Sequence, residues 1–455
     1  MKETLTYTRE NGYKSWNSAM ISDAMDYAEG YKSFISTCKI EREVMRYARG
    51  YVENIGYSRS DLNTPIKVGD KVYFDNRGKC LAVVKVGKKG VDNGVRILIA
   101  HADSPRLDLK PNPLYEDGDT AYMKTHYYGG LRKYQWLTVP LAMHGTLVLR
   151  DNTSVDVNIG ENASDPVFYI SDLLPHLAHD MENETLSKAF PAERLNIVCG
   201  GIPSEEVDSE AVKYNTLKIL NQKYGIVEED LLSAEIEFVP TYTARDIGLD
   251  RAYIGAYGHD DKVCAYSALT AFAGSNDNNT SILYLVDKEE IGSDGVTGAQ
   301  SQFIADIVEK LAHDFGMSYA YMRQKSECLS ADVTSAYDAN FKDVFDAKNS
   351  TYLSSGVAIN KYTGARGKSG ASDATAEFTT RIKNIFNEAG VLWQTGEIGK
   401  LDVGGGGTVA KFLASKNIDT LDVGVPVMSM HSPFELISKV DLYSAYKGYL
   451  SFLNK

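Results

Sequence analysis

Apolar residues recur along this chain first with helical spacing and then in short runs of strand length. Residues 18–32 and 40–55 have the spacing of amphipathic helices, and Gly56 is a suitable residue to end the second helix. The strand-like runs that follow are 71–74, 81–86 and 95–100. The third run has the length of a buried strand, and His101 comes directly after it.

Between residues 108 and 247 the pattern changes to short alternating runs separated by turn residues. Pro111, Pro113 and the pair Gly129-Gly130 interrupt this part of the chain. The elements predicted there are strands at 146–150, 154–159 and 234–240 and a helix at 212–224. We therefore predict a separate β-rich domain, at residues 108–247, inserted into the rest of the chain.

After residue 247 strands and helices alternate, which predicts an α/β fold with a mixed sheet flanked by helices. The elements are helices at 261–272, 299–315, 373–390 and 438–453 and a buried strand at 281–286. The 455 residues exceed the size at which a single core stops growing, about 250–300 residues. We therefore predict one discontinuous α/β domain, residues 1–107 and 248–455, and the inserted domain.

Composition excludes several classes of protein. The chain has 61 acidic and 48 basic residues, a formal net charge of −13, so no general attraction to nucleic acid or an anionic membrane is expected. We find no apolar stretch of membrane-spanning length and no apolar secretory signal at the start. The five cysteines form no Cys-x-x-Cys pair, which argues against a disulfide framework or a thiolate zinc site. We predict a cytoplasmic location.

Five short segments place metal-binding types of side chain beside strand-like runs. They are His101-Ala-Asp103, Gly258-His-Asp260-Asp261, Asp287-Lys-Glu289-Glu290, Ser330-Ala-Asp332 and Met430-His431. Together they supply ligands for two divalent metal ions about 3.5–4 Å apart and leave one carboxylate to act on water. A metal-dependent hydrolase is therefore the first hypothesis. The chain has no His-Glu-x-x-His motif, which excludes the single-zinc helical protease.

The placement of two of these segments at strand ends is stronger evidence for a site than their residue types are. His101 and the 287–290 segment each follow a predicted strand, and ligands of open α/β sheets bind beyond the carboxyl ends of strands. A lone histidine there is more often a hydrogen-bonded structural group, but Asp103 can orient His101 as a ligand. Of the pair Glu289 and Glu290, one can bind metal while the other acts as a general base.

The remaining aspartates are ambiguous when each is considered alone. Asp260 and Asp261 precede the predicted helix, so a helix N-cap is an equal alternative to a metal ligand. Asp332, considered alone, is equally ambiguous between a metal ligand and a structural residue. His259 is a further candidate, but an adjacent histidine and aspartate cannot easily both point at one metal, so we treat it as a neighbour.

In combination, the segments closely resemble the aspartyl aminopeptidase and aminopeptidase I family of metallopeptidases, over nearly the whole chain. The motifs that carry the resemblance are His101-Ala-Asp-Ser-Pro105, Tyr128-Gly-Gly130, Asp287-Lys-Glu-Glu-Ile-Gly-Ser293, Ser330-Ala-Asp332 and Ser429-Met-His-Ser432. The resemblance implies a zinc exopeptidase-like catalytic domain at residues 1–107 and 248–455. It also implies that the inserted domain mediates dimerisation.

The resemblance also assigns metal ligands, position by position. It implies that Asp260 bridges two zinc ions, with His101 and Asp332 completing one coordination sphere and Glu290 and His431 the other. Cobalt and manganese also suit such mixed nitrogen and oxygen ligands. Many relatives have Asp-Asn where this chain has Asp-Asp, so Asp261 stays an alternative to Asp260 as the bridge.

Catalytic roles and assembly follow from the same resemblance. Glu289 would be the general base, Asp103 would support His101, and His176 of the inserted domain would reach the active site of a partner subunit. The resemblance further implies homo-oligomers in which dimers assemble into a tetrahedral dodecamer that admits peptides to an interior chamber.

The function predicted from the sequence is a metal-dependent aminopeptidase that removes single N-terminal residues from peptides. Two alternatives remain: a two-metal deacylase of N-acyl amino acids, and a catalytically silent scaffold on the same fold. Preference for an acidic N-terminal residue would need a cation in the specificity pocket, for which Lys361, Arg366 and Lys368 are candidates.

Overall fold

The computed structural model describes residues 5–455, and its elements alternate as the sequence predicts after residue 247. The described α-helices are α1 (Gly12–Ser15), α2 (Ser18–Thr37), α3 (Glu41–Asn54), α4 (His179–Glu182), α5 (Leu186–Ala189), α6 (Ala211–Tyr224), α7 (His259–Gly274), α8 (Phe303–Asp314), α9 (Tyr319–Lys325), α10 (Ala376–Glu388), α11 (Ala410–Ala414) and α12 (Lys439–Asn454). Short 3-10 helices occupy Lys133–Trp136, Pro175–Leu177, Ala192–Arg194, Glu228–Ser233, Glu289–Ile291 and Ala339–Val344.

The described strands are β1 (Ser58–Arg59), β2 (Lys71–Asn76), β3 (Cys80–Lys85), β4 (Arg96–His101), β5 (Arg106–Asp117), β6 (Thr120–Tyr128), β7 (Leu141–Val148), β8 (Ser154–Ile159), β9 (Ile197–Gly200), β10 (Glu235–Pro240), β11 (Arg245–Ile247), β12 (Tyr253–Ala256), β13 (Ser281–Val286), β14 (Glu327–Ser330), β15 (Thr334–Ser335), β16 (Val357–Asn360), β17 (Gly364–Ala365), β18 (Trp393–Thr395), β19 (Gly405–Gly406), β20 (Asp419–Gly424), β21 (Pro426–Met428) and β22 (Glu435–Ser438). No helix among the described residues is both long and apolar enough to cross a membrane.

Two units with separate internal packing make up the described chain. The first comprises residues 5–103, 243–430 and 434–455, and the second comprises residues 104–242 and 431–433. The predicted α/β class with a mixed sheet flanked by helices is confirmed, because the first unit contains a nine-stranded sheet of both parallel and antiparallel pairs.

The nine strands of the first unit lie in the order β1-β2-β3-β13-β4-β14-β20-β16-β18. The four central strands, β13, β4, β14 and β20, are mutually parallel, so their carboxyl ends share one edge. At that edge His101 pairs in register with Val286, the residue before Asp287. The two segments that follow predicted strands therefore lie side by side.

Alternation along each central strand gives the sheet two apolar faces. On β4, Leu98 and Ala100 join one buried cluster, whereas Ile97 and Ile99 join another on the opposite face. Helices cover both faces, which explains why β13 is buried at all six positions and reads as a continuous apolar run.

The second unit is built on an antiparallel sheet in the order β8-β7-β10-β5-β6-β9. Its strand β5 contains Pro111 and Pro113, which the sequence pattern suggested as an interruption. The register of β5 against β6 shifts between Leu109 and Leu114, so the prolines lie where the ladder is already broken. The stretch between β8 and β9 holds α4, α5 and short 3-10 helices instead of further strands.

Candidate metal and active site

His101 is the last residue of β4, and the strand fixes its ring in the interior with only 1% of its surface exposed. Nδ1 lies 3.0 Å from the backbone carbonyl oxygen of Asp103, to which it donates as an N–H group. This leaves Nε2 as the ring nitrogen that faces the acidic side chains. Nε2 lies 3.1 Å from Asp260 Oδ1 and 3.8 Å from Asp332 Oδ1.

Asp260 and Asp261 lie in the first turn of α7, which begins at His259 after Gly258. Both aspartates have non-helical backbone angles, so the regular part of the helix begins only after them. The Asp260 amide donates to Glu435 Oε2 at 3.0 Å. The backbone N–H of His101 donates to Asp261 Oδ2 at 3.3 Å, which directs this carboxylate at the strand backbone.

His101, Asp260 and Asp332 form a buried group whose potential ligand atoms all lie within 4.8 Å of one another. Asp260 and Glu290 also offer carboxylate oxygens within 4.8 Å of each other, so Asp260 stands next to both. Burial raises the pKa of Asp332 well above its ordinary value, and the charges of Glu289, Asp261 and Asp260 add to this although His101 opposes it. The carboxylates therefore repel one another in a place with little water.

Asp103 ties the strand end to the acidic segment that follows β13. Its Oδ1 accepts a hydrogen bond from the Glu289 amide at 3.2 Å, and its Oδ2 accepts one from the Glu290 amide at 3.1 Å. Lys288 has φ +69° and Gly292 φ +98°, a left-handed backbone on either side of the two glutamates. A fully buried carboxylate thus holds the tight turn that presents both side chains.

A buried network lies behind this turn. Thr297 Oγ1 donates to Asp287 Oδ2 at 2.9 Å, and the Lys79 ammonium lies 3.5 Å from the same oxygen and 2.9 Å from Glu41 Oε1. Burial, with the charges of Glu41 and Asp103, raises the pKa of Asp287 to about 6, against the opposing effect of Lys79. Lys79 thus links buried acids of α3 and of the segment after β13.

Three further histidines of the sequence analysis differ in their surroundings. His259 is fully buried: Tyr31 Oη lies 2.7 Å from Nδ1 and the Ile254 carbonyl oxygen lies 3.0 Å from Nε2, so both ring nitrogens are engaged. His431 belongs to the 431–433 segment of the second unit, where its Nδ1 lies 2.8 Å from the Gly130 carbonyl oxygen. His176 is exposed in the 3-10 helix Pro175–Leu177.

The donor set suits a divalent metal. One imidazole and two carboxylates are gathered within 4.8 Å, and the neighbouring Asp103, Glu289 and Glu290 bring further acid groups. Burial alone would lower the pKa of His101, but the Asp103 and Asp260 carboxylates raise it well above its ordinary value. An excess of buried negative charge around nitrogen and oxygen ligands is the environment that zinc offsets.

Sequence reasoning missed one group that shapes this site. Glu435, on β22, is 1% exposed and accepts a hydrogen bond from the Asp260 amide. In the sequence it follows an aromatic residue in a segment that has the pattern of an ordinary short strand. Its only signal in the sequence is a charged residue close to the motif that contains His431.

An α/β sheet that carries imidazole and carboxylate ligands at its carboxyl edge has the make-up of a metallohydrolase. A family profile described as aminopeptidase I zinc metalloprotease (M18) matches residues 34–453. A Clostridium acetobutylicum protein named probable M18 family aminopeptidase 1 is 44% identical over 464 residues, and the match covers 100% of both chains. The chain belongs to the M18 family of zinc metalloaminopeptidases, which are peptide-bond hydrolases.

Solved structures share this fold. The crystal structure of an M18-family aminopeptidase from Thermotoga maritima has a TM-score of 0.94 at 42% identity and covers 99% of this chain and 100% of that chain. A structure of a Saccharomyces cerevisiae mApe1 dodecamer has a TM-score of 0.77 at 20% identity and covers 94% of this chain and 97% of that one. The second likeness shows the fold alone.

Proposed function

We propose that this aminopeptidase removes single N-terminal residues from peptides with two divalent metal ions and a glutamate general base. The observation that carries the proposal is the buried group of His101, Asp260 and Asp332, with Glu290 beside Asp260. Such a cluster has no structural advantage, because buried like charges destabilise a fold unless a cation offsets them.

The proposed ligands follow from the geometry of the first unit and from the family resemblance. His101 and Asp332 would hold one ion, Glu290 and His431 the other, and Asp260 would bridge them. His101 is prepared for this role because its Nδ1 donates to Asp103 and leaves Nε2 as the ligand atom. Asp261 is the weaker bridge, since its Oδ2 already accepts the His101 amide hydrogen.

When bound, two zinc ions would polarise the scissile carbonyl group and lower the pKa of water. Glu289 would accept the proton of the attacking water at its carboxylate and pass it to the departing amine. It is half-buried at the tip of the turn held by Asp103, so its backbone is fixed while its side chain remains available to substrate.

Asp103 would act as the residue that positions this machinery. Asp103 contacts three residues of the site. Its backbone carbonyl accepts a hydrogen bond from His101, and its two carboxylate oxygens accept hydrogen bonds from the amides of Glu289 and Glu290. One residue, through its backbone carbonyl and its carboxylate, would thus set both the orientation of a ligand and the distance between base and metal.

The second unit is proposed as a dimerisation domain whose His176 reaches the active site of a partner subunit. Exposed apolar residues surround His176: Leu173 is 43%, Leu174 48% and Leu177 66% exposed. We further propose that dimers form a tetrahedral dodecamer, and the dodecamer of Saccharomyces cerevisiae mApe1 supports the subunit number. The unpaired thiols of all five cysteines support a reducing, cytoplasmic location.

Assembly is tested by the mass of the purified protein in solution. Leu177→Glu should reduce the particle to a dimer or monomer, because a charge cannot be buried at an apolar contact without a partner. Ile219→Glu is the matched control, since Ile219 is 56% exposed on helix α6 of the same unit. An unchanged mass for Leu177→Glu would contradict the proposed interface.

The reaction is tested by an activity screen of metal-loaded enzyme against aminoacyl anilides and N-acetyl amino acids. We expect release of free N-terminal residues with zinc, cobalt or manganese, and none after chelation or in His101→Ala. Hydrolysis of the acylated compounds alone would support the deacylase alternative instead. Absence of both activities in fully loaded protein would favour the silent scaffold.

A further inference from the structure

A second polar group lies on the same sheet as the metal-binding group, on strands β14, β20 and β16 and the segment before α11. It consists of Ser330, Asn360, Thr408 and Asp422, which are 0%, 3%, 7% and 2% exposed. Asn360 Oδ1 and Asp422 Oδ1 have no hydrogen-bond partner in the structure, and the Ser330 and Thr408 hydroxyls have none apart from the Asp422 carboxyl group that they approach. Buried polar atoms are almost always hydrogen-bonded, so two such oxygens beside a buried carboxyl group require an explanation.

Strand register brings these residues together. Ser330 on β14 and Asn360 on β16 both pair with Asp422 on the strand between them, so the three side chains share one face of the sheet. Thr408 precedes helix α11, whose Leu413 packs in the apolar cluster on this face. The Ser330 and Thr408 hydroxyls are close enough to the carboxyl of Asp422 to lower its pKa.

The group has one formal charge. That charge belongs to Asp422, because Ser330, Asn360 and Thr408 have neutral side chains. In the described residues, no basic side-chain nitrogen lies within 4.0 Å of the Asp422 carboxylate. Burial raises the pKa of Asp422 to about 6, against the two hydroxyls, so the carboxyl is mostly ionised at neutral pH. A buried carboxylate needs a cation nearby, and a single positive charge would balance this one.

We propose that Ser330, Asn360, Thr408 and Asp422 bind a monovalent alkali cation, sodium or potassium, separate from the zinc site. An oxygen-only donor set of this kind suits hard cations. Burial and the Asp422 charge raise the pKa of the neighbouring Cys328 thiol, so it offers no thiolate to zinc. A divalent ion would leave one positive charge without a counter-charge.

An entry path for the ion exists. Asn360 lines a cavity of about 540 Å³ that the glycine-rich stretch at Gly404 and Gly405 also borders. Hydrated cations can reach the amide side of the group through this cavity and exchange their water there for protein oxygens. The cation would fasten β20 and β16 to the loop that begins α11.

The experiment compares the unfolding temperature of zinc-loaded enzyme in potassium, sodium and choline chloride at equal ionic strength. Potassium or sodium should raise the apparent Tm by about 2 °C or more relative to choline, because binding to the folded state stabilises it. Asp422→Asn should lose this difference. Asp419→Asn should keep it, because Asp419 is an exposed carboxylate at the start of the same strand.

Diffraction from crystals soaked in rubidium or thallium provides a second measurement that does not depend on the stability of a variant. We expect an anomalous peak among the four oxygens. If Asp422→Asn fails to fold, Thr408→Val takes its place, and the peak should disappear in that variant. Equal Tm values in all three salts, or ordered water without an anomalous peak, would overturn the proposal. A response to calcium or magnesium alone would overturn the monovalent assignment.

Discussion

The two units bury charge in different ways. In the second unit, the side chains of Arg106 and Glu237 are 5% and 4% exposed and lie 3.0 Å apart, and the more exposed Asp108 lies 2.8 Å from the same guanidinium. In the first unit, the His101 imidazole is surrounded by the buried carboxylates of Asp103, Asp260 and Asp332. Charge is balanced inside the second unit by its own residues, whereas the first has an excess of acid.

This difference separates structural from functional burial of charge. A balanced pair stabilises its surroundings only when it is intact, and removal of one partner leaves a charge in the interior. An unbalanced cluster is stabilised by an added cation, and its residues can be lost at a cost in chemistry more than in folding. Substitutions of carboxylates should therefore give opposite phenotypes in the two units.

Glu289→Gln should produce the largest effect. We expect kcat to fall by about 10²–10⁴-fold with bound zinc unchanged, because the amide cannot accept the proton of water. Rate measurements under saturating substrate, with zinc content determined by atomic absorption, check this. Asp294→Asn, an exposed acid a few residues further on, is the control. Full activity of Glu289→Gln would remove the general-base assignment.

Glu237→Gln should mainly reduce stability. Loss of this carboxylate removes the buried acid beside the Arg106 guanidinium, and the remaining Asp108, 2.8 Å away, is more exposed, so we expect a cost of about 3–5 kcal/mol. Denaturant unfolding measures the change, and kcat of the folded fraction should stay close to that of the unaltered enzyme.

Asp108→Asn supplies the comparison for that variant. Asp108 is 35% exposed, so its contribution should be about 0–1 kcal/mol. If Glu237→Gln proved as mild as Asp108→Asn, the contrast between the two units would fail.

Much of the site follows from the sequence because its strands are apolar and their ends carry unusual residues. The run before Asp287 and the run before His101 predict buried strands, and parallel pairing then brings His101 and Glu290 to one edge. The roles of Asp260 and Asp261 could not be derived locally. Two acids before a helix fit an N-cap as well as a metal ligand, and the residues that contact them, Glu435 and His101, are distant in sequence.

The inserted region was harder to predict for a related reason. Prolines normally end strands, yet β5 continues through Pro111 and Pro113 because its ladder is broken at that point. The group of Ser330, Asn360, Thr408 and Asp422 also cannot be predicted from the sequence, since its four members come from four separate segments. Contacts distant in sequence decide both features.

Asp103→Asn should have a smaller effect than Glu289→Gln. One of its two side-chain acceptors becomes a donor facing a backbone N–H, so either the Glu289 or the Glu290 amide loses its partner. We expect kcat/KM and zinc affinity to fall by about 10–100-fold together. A merely structural residue would lower the unfolding temperature without shifting zinc affinity, and that outcome would contradict the positioning role.

The smallest effect concerns the N-terminal residue preference, and it tests whether charge in the first unit is available to substrate. Lys361 and Lys368 both pair with Asp373, at 2.6 and 3.1 Å, so their charges are partly offset. Arg366 lines the 540 Å³ cavity, and no acidic side chain of the described residues lies within 4.0 Å of its guanidinium. Arg366→Ala should therefore reduce the ratio of kcat/KM for acidic over neutral aminoacyl substrates by a few-fold, whereas Lys361→Ala should leave it unchanged. A change of that ratio in Lys361→Ala but not in Arg366→Ala would mean that Asp373 releases its lysines when substrate binds.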